Sequence, residues 1–269
     1  MSKTVLITGA STGMGETVAL EYAARGWNVV ATMRNTAKAN PAFADQPNTL
    51  VTHLDVTDAA SIEQAIKESI GRFGAIDAVV NAAGYGQLGT VEEVGIDDLR
   101  AQYETNVIGI VQVLHGVLPH MRERGSGHIL NIGSMGGHVS LPTMAVYCSS
   151  KSAVQNLTEG LALEVAPLGI RVTLVEPAGF NTGFTDNSKP PSRTIADYAS
   201  SYEAMAQFDG DAVRGDLVKS MAAVADITCI DEPPLRLALA TAGLEMARGR
   251  FSDLLDEYAR WESVTVGTD

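Results

Sequence analysis

Tyr147 and Lys151 stand four residues apart in a stretch that reads as helix, and Ser134 stands at the end of the strand before it. Residues at i and i+4 share a helix face, so a phenol and an ammonium can act on one small volume. A free tyrosine has a pKa of about 10 and is a poor base at neutral pH, whereas a cation beside it favours the phenolate. A phenol, an ammonium and a hydroxyl brought together suit proton exchange with the oxygen of an alcohol or carbonyl, the companion step of a hydride transfer.

Such a group needs a scaffold, and the chain supplies a regular one. KTVLIT (3–8) leads into GASTGMG and then a segment to Arg25 with Val18, Ala19, Tyr22 and Ala23 at helical spacing. WNVVATM, TLVTHLDV, IDAVVNAAG, GHILNIGS and GIRVTLVEP read as the second to sixth strands, most of them separated by helical stretches. Continuous β-branched runs with helical connections predict a doubly wound parallel sheet covered on both faces. Between Pro177 and about Asp226 the strand rhythm stops, so a substrate lid is expected at about 180–226. LRLALAT reads as a seventh strand. A final helix places Leu244, Ala247, Phe251, Leu254, Leu255, Tyr258 and Trp261 on one face, read as core or subunit contact.

With 269 residues, 45% of them hydrophobic and 19% charged, the chain has the balance of one large folded α/β domain, expected to span 1–269. A net charge of −13 argues against nucleic acid and anionic membrane surfaces, which select basic patches. Residues 1–11 read as a strand running into glycines and not as a leader, and no apolar run reaches the roughly 20 residues of a membrane span. Two distant cysteines, Cys148 and Cys229, fit neither a disulfide framework nor a metal cluster, and the five histidines form no i, i+4 pair. A cytoplasmic protein without a metal is expected.

Gly9, Gly13 and Gly15 fall at the first strand-to-helix turn, where missing side chains let backbone approach a pyrophosphate and helix amides point at it. Roughly 20 residues on, at the end of the second strand, an acid would bond a ribose 2′-hydroxyl. Here Met33 stands in its place and Arg34 follows, a fork able to pair with a 2′-phosphate, so NADP(H) is favoured and NAD(H) remains possible. Asp55 and Val56 end the third strand, where they could meet the adenine, and Asn81 to Gly84 end the fourth beside the cofactor.

Taken together, TGASTGMG (8–15), LDV (54–56), NAAG (81–84), Asn106, Ser134, YCSSK (147–151) and EPAGFNT (176–182) resemble the short-chain dehydrogenase/reductase family. The resemblance covers about residues 3–185, and the later PPLRL and amphipathic end look similar to hydroxysteroid-dehydrogenase-like members. It implies a single-domain Rossmann fold of about seven strands and a catalytic set of Asn106, Ser134, Tyr147 and Lys151, with transfer from the 4-pro-S face of the nicotinamide. It implies a cofactor cradle of Gly9, Ser11, Thr12, Gly13, Met14, Gly15, Arg34, Asp55, Val56, Asn81, Ala82, Gly84, Tyr147 and Lys151. Pro177, Gly179, Phe180 and Thr182 resemble the segment that closes over the nicotinamide. Ser134 would hydrogen-bond the substrate oxygen and Tyr147 exchange its proton. Lys151 would tune the phenol and bond the nicotinamide ribose, and Asn106 would hold a water in a proton relay. Gly133 and Cys148 depart from the usual residues without touching these atoms; Cys148 reads as packing.

Ser134, His138, Leu141, Met144, Tyr147, Phe180 and Phe184 are the expected substrate contacts, with Tyr198, Tyr202, Met205 and Phe208 added by the lid. The set is mostly apolar, which suits a hydrophobic ketone or secondary alcohol. An epimerase or dehydratase that retains NAD, and a dinucleotide-sensing regulator without catalysis, are the alternatives. A homodimer or homotetramer is implied by resemblance.

Overall fold

The computed structural model describes residues 2–211 and 213–268. In chain order the elements are β1 (Thr4–Thr8), α1 (Gly13–Ala24), β2 (Asn28–Met33), β3 (Thr49–His53), α2 (Ala59–Phe73), β4 (Ala78–Asn81), α3 (Ile96–Tyr103), α4 (Gly109–Arg124), β5 (Gly127–Ile132), α5 (Ala145–Val165), β6 (Ile170–Pro177), α6 (Phe184–Asn187), α7 (Ala199–Asp211), α8 (Leu217–Ile227), β7 (Arg236–Leu239) and α9 (Thr241–Val266). All seven strands are parallel, in the order β3-β2-β1-β4-β5-β6-β7. The order reverses between β1 and β4, and a doubly wound sheet opens a ligand crevice at that point, beyond the carboxyl ends of its strands.

Helices explain why the inner strands read as unbroken apolar runs: every residue of β1, β4 and β5 is buried. Val18, Ala19 and Tyr22 of α1 and Met221, Val224 and Ala225 of α8 cover one face. Ile62 and Ile66 of α2, Val113 and Val117 of α4, and Val154 and Leu161 of α5 cover the other. Local signals set the helix limits. Asp58 accepts from the Ala60 amide to start α2, and Gly74, at φ 84°, ends it.

Four expectations change. The third strand ends at His53, and Leu54 to Val56 continue as a loop after the Leu54 amide bonds the Met33 carbonyl. YETNVIG (103–109), whose pattern reads as part of one long helix, is instead the junction of α3 and α4 through a π turn, Glu104–Ile108. The expected lid at about 180–226 divides. Residues 184–211 lie over the crevice side, whereas α8 is core, packed on α1 with Tyr22 and Thr228 hydroxyls 2.5 Å apart. Finally, the apolar stripe of α9 is not core in this chain, since most of it is exposed.

His128 lies buried in β5 with its Nε2 2.9 Å from Thr173 Oγ1, and burial first, then the charges of Arg171 and Lys3, push its pKa down to about 3. The folded state therefore binds fewer protons than the unfolded chain between about 3 and the ordinary histidine value, and stability falls as pH drops through that window. The expected loss is roughly 4 kcal/mol across it. Urea midpoints measured from pH 7 to 3 should show the decline, and His128→Phe should flatten it, because Thr173 keeps its bond to the Pro234 carbonyl.

Candidate active site

The glycine turn between β1 and α1 is built by contact as much as by flexibility. Gly9 and Gly13 hold φ of 72° and 60°. A Cβ on Gly9 would lie 2.8 Å from Ala83 Cα, and one on Gly15 would lie 2.4 Å from the Gly9 carbonyl oxygen. Ser11, Thr12 and Met14 complete the turn, and the Thr12 side chain does not cap α1, which leaves first-turn amides for an anion. A Cβ on Gly13 would come within 3.1 Å of the Thr182 carbonyl oxygen, so the 177–182 segment reaches the same turn.

The β4 end is pinned across from it. Amides of Ala82 and Ala83 donate to Thr8 Oγ1, each at 3.1 Å. Asn81 turns its amide into the sheet, Nδ2 donating to Asn131 Oδ1, whose own amide donates to Thr158 of α5. It thus ties β4 through β5 to α5. At the β2 end Arg34 is exposed, its carbonyl accepting from His53 Nδ1. Asp55 has its pKa lowered: burial pushes upward but is outweighed by bonds from the Thr57 amide and hydroxyl and by the charges of Arg34 and His53. Val56 is buried beside Gly109.

Ser134, Tyr147 and Lys151 come together where β5 ends. Ser134 Oγ accepts from the Gly136 amide at 3.0 Å, which leaves its own proton free to donate. A Cβ on Gly136 would meet Ser134 Oγ at 3.2 Å, Cys148 Sγ at 3.3 Å and Tyr147 Cε1 at 3.5 Å, so a glycine there lets the turn press onto α5. Burial pushes the Tyr147 phenol up to about 12, and the neighbouring Ser134 hydroxyl lowers it by less. Burial also pulls the Lys151 ammonium down to about 8; its Nζ donates to the Ile132 carbonyl at 2.8 Å and lies 6.0 Å from the Tyr147 ring centre. The expected lowering of the phenol's pKa by Lys151 is therefore not seen among the protein's own groups, where desolvation is the largest influence and pushes it up.

Asn106, on the π turn, spends both amide protons, on the Tyr85 carbonyl and Ser150 Oγ, while its Oδ1 accepts from the Tyr85 amide. Gly84 separates it from the lysine, since a Cβ there would lie 3.1 Å from Asn106 Oδ1 and 3.8 Å from Lys151 Nζ. The π turn interrupts the helical hydrogen-bond ladder at this spot.

Above the phenol, Met144, Tyr147 and Cys148 form an apolar cluster with Leu88, Leu141, Phe184 and Met205; the Phe184 and Tyr147 ring centres are 5.1 Å apart. Leu88 escaped sequence reading because nothing local marks it. Two expected substrate residues lie elsewhere. Phe180 is core, wedged against Gly215 beside Leu239. His138 turns away, donating from Nε2 to Glu176 Oε1 at 2.6 Å, an oxygen that also receives Arg236 and Gln155. Gln155 further donates to the Ser134 carbonyl, so this network braces the Ser134 turn from behind.

Tyr198 and Tyr202 tie down the segment expected to act as the lid. Tyr198 donates to Glu92, and Tyr202, the Ile195 amide, and the amide and hydroxyl of Thr90 converge on the buried Glu93 carboxylate. Burial pushes the Glu93 pKa upward, yet these four bonds outweigh it and hold it at about 2. Glu93→Ala should release the lid: hydrogen exchange over 195–208 should speed up several-fold and KM should rise more than kcat falls. Unchanged exchange there would remove Glu93 as the latch.

A family model for short chain dehydrogenases matches residues 3–193. A 3-ketodihydrosphingosine reductase from Bacteroides thetaiotaomicron is 39% identical over 200 residues, 74% of this chain and 72% of the relative. Human 17-beta-hydroxysteroid dehydrogenase type 1 is 38% identical over 197 residues, 69% of this chain and 60% of the relative. The crystal structure of a short-chain dehydrogenase from Streptomyces avermitilis superposes with TM-score 0.93 at 36% identity over 100% of this chain and 99% of that one. ElxO with NADP bound superposes with TM-score 0.76 at 26% identity, covering 91% of this chain and 100% of ElxO. With the glycine turn, the sheet order and the Ser134, Tyr147 and Lys151 cluster already in place, the family model over residues 3–193 and the Streptomyces structure over the full length identify this chain as an oxidoreductase of the short-chain dehydrogenase/reductase family.

Proposed function

We propose that the protein interconverts a hydrophobic secondary alcohol and its ketone using NADP(H). The observation that carries this reading is the meeting of Ser134, Tyr147 and Lys151 at the end of β5 beneath an apolar cluster, beside a glycine turn shaped for a pyrophosphate. The 9–15 turn and the first amides of α1 hold the pyrophosphate. Arg34 pairs with the 2′-phosphate, Asp55 and Val56 flank the adenine, and Gly84, Pro177, Gly179 and Thr182 border the nicotinamide end. When bound, the nicotinamide supplies a hydride to the carbonyl carbon or takes one from the alcohol.

In reduction, Ser134 donates its free proton toward the substrate oxygen and stabilises negative charge as it grows. Tyr147, protonated at neutral pH as any tyrosine is and pushed further up by burial, delivers the proton. Lys151, charged below about 8, stabilises the phenolate left behind. Asn106 fixes the π turn against Tyr85 and Ser150, with Gly84 between it and the lysine. Oxidation runs these steps backwards.

Leu88, Leu141, Met144, Phe184 and Met205 favour an apolar substrate, and the names of the two relatives point the same way. Buried Cys148 and the free, exposed Cys229 fit a reducing compartment such as the cytoplasm. The test is NADPH and NADH oxidation over a panel of ketones: hydrophobic ketones should turn over, and preference for sugars or small hydroxy acids would overturn the substrate class. Arg34→Leu should cut the preference for NADPH by about 10- to 100-fold, the worth of charge-assisted bonds to a phosphate. An unchanged preference would refute the role of Arg34.

A further inference from the structure

α9 begins on the body and then leaves it. Gly243 lies against Ala178 and Met135, and Arg250 Nε donates to the His138 carbonyl. From Phe251 to Thr268 no residue is buried, and Leu254 alone is half-buried. Phe251 still touches the body, its ring meeting His138 edge-on at 5.2 Å, but beyond it the helix carries large apolar side chains in the open, with Leu255 69%, Tyr258 71% and Trp261 63% exposed. Most helical stability in proteins comes from packing an apolar face, which this stretch leaves uncovered.

The pattern along α9 is regular. Leu244, Ala247, Phe251, Leu254, Tyr258, Trp261 and Thr265 are spaced alternately three and four apart, the a and d positions of a seven-residue repeat. The positions flanking this seam on one side are Arg250, Glu257 and Val264, and on the other Arg248, Leu255 and Glu262. Rims with both signs of charge, on a chain of net charge −13, do not suit an anionic lipid surface. They do suit self-pairing, and they choose its direction. In a parallel pair Glu257 of each helix would face Glu262 of the other. In an antiparallel pair the seam meets itself reversed, so Arg250 faces the partner's Glu257 on both sides of the two-fold axis. The same register sets Leu244 against the partner's Trp261, Ala247 against the partner's Tyr258, and Phe251 against the partner's Leu254, large groups opposite smaller ones.

We infer that the exposed face of α9 is an interaction surface for a second copy of this chain, the two helices packing antiparallel with Arg250 paired to Glu257 across the axis. Burying the stripe on both helices removes on the order of 1,000 Å² in total, the size at which specific association begins. The inference is independent of the substrate and cofactor assignments.

Charge exchange tests it on the full chain. Sedimentation should show that Glu257→Arg, which sets arginines against each other, weakens assembly by at least about tenfold. Arg250→Glu combined with Glu257→Arg should restore it. Tyr258→Glu should disrupt the same step. A spin label at Ser263 should lie roughly 30 Å from its copy in an antiparallel pair and much closer in a parallel one, from a rise of about 1.5 Å per residue. A wild-type chain that stays monomeric, an assembly indifferent to Tyr258→Glu or to the single exchange, a double exchange that fails to rescue, or a short label distance would overturn the proposal.

Discussion

Tyr147→Phe should lower turnover by about 10³-fold in both directions, within the range a positioned general acid contributes. The substitution is narrow. The ring keeps its packing against Phe184 and Met144, so the apolar cluster and the start of α5 stay in place. What disappears is the one group that, protonated at neutral pH, can hand a proton to the substrate oxygen while Ser134 hydrogen-bonds it. NADPH affinity, read by quenching of protein fluorescence, should therefore stay within about twofold, since the glycine turn, Arg34 and Lys151 keep their assigned contacts when the phenol oxygen is removed. Ser134→Ala offers a useful comparison, because removing a donor that only stabilises developing charge should leave more residual activity. Appreciable activity in Tyr147→Phe would move the proton donor elsewhere.

The parts of this site that sequence reveals are those fixed by short spacing. Gly9, Gly13 and Gly15 announce a turn because only small residues fit where backbone meets backbone, and Tyr147 with Lys151 announce a shared helix face. The sheet is legible for a similar reason, as buried parallel strands leave unbroken apolar runs. Long-range partners are not legible. Glu93 looks like one acid among many, yet it receives donors from residues about a hundred positions away. Glu176 at the end of β6 gathers His138, Gln155 and Arg236, so a histidine that follows the Ser134 turn faces a buried carboxylate and not the substrate. Phe180 and α8 mislead in the opposite sense. Their apolar character is visible, but periodicity does not say which surface an apolar face will meet, and both belong to the core beside α1. The π turn at Asn106 is hidden because a single widened turn leaves the helical pattern on either side intact.

Lys151→Met should slow the enzyme and stabilise the fold at once. Burial lowers the lysine from its ordinary 10.5 to about 8, which means that the folded protein holds this charge against a desolvation penalty. Between those two values the folded state binds fewer protons than the unfolded chain, so stability rises with pH across the window and sits at its low plateau below about 8. At neutral pH the penalty is roughly 3 kcal/mol. Methionine fills similar space without charge and removes that penalty, though it forfeits the bond to the Ile132 carbonyl, worth about 1 kcal/mol. The net gain of roughly 2 kcal/mol should raise Tm by several degrees at pH 7, and the gain should shrink as pH approaches 10. Activity should move the other way. Ketone reduction by the wild type should hold steady below about pH 7 and decline above about 8, as the ammonium that stabilises the departing phenolate loses its proton. In Lys151→Met, kcat/KM should fall by about 10²-fold or more and the decline near pH 8 should vanish. A variant that is less stable than the wild type at neutral pH would show that Lys151 is held there for packing, and a decline near pH 8 that survives the substitution would assign it to another group.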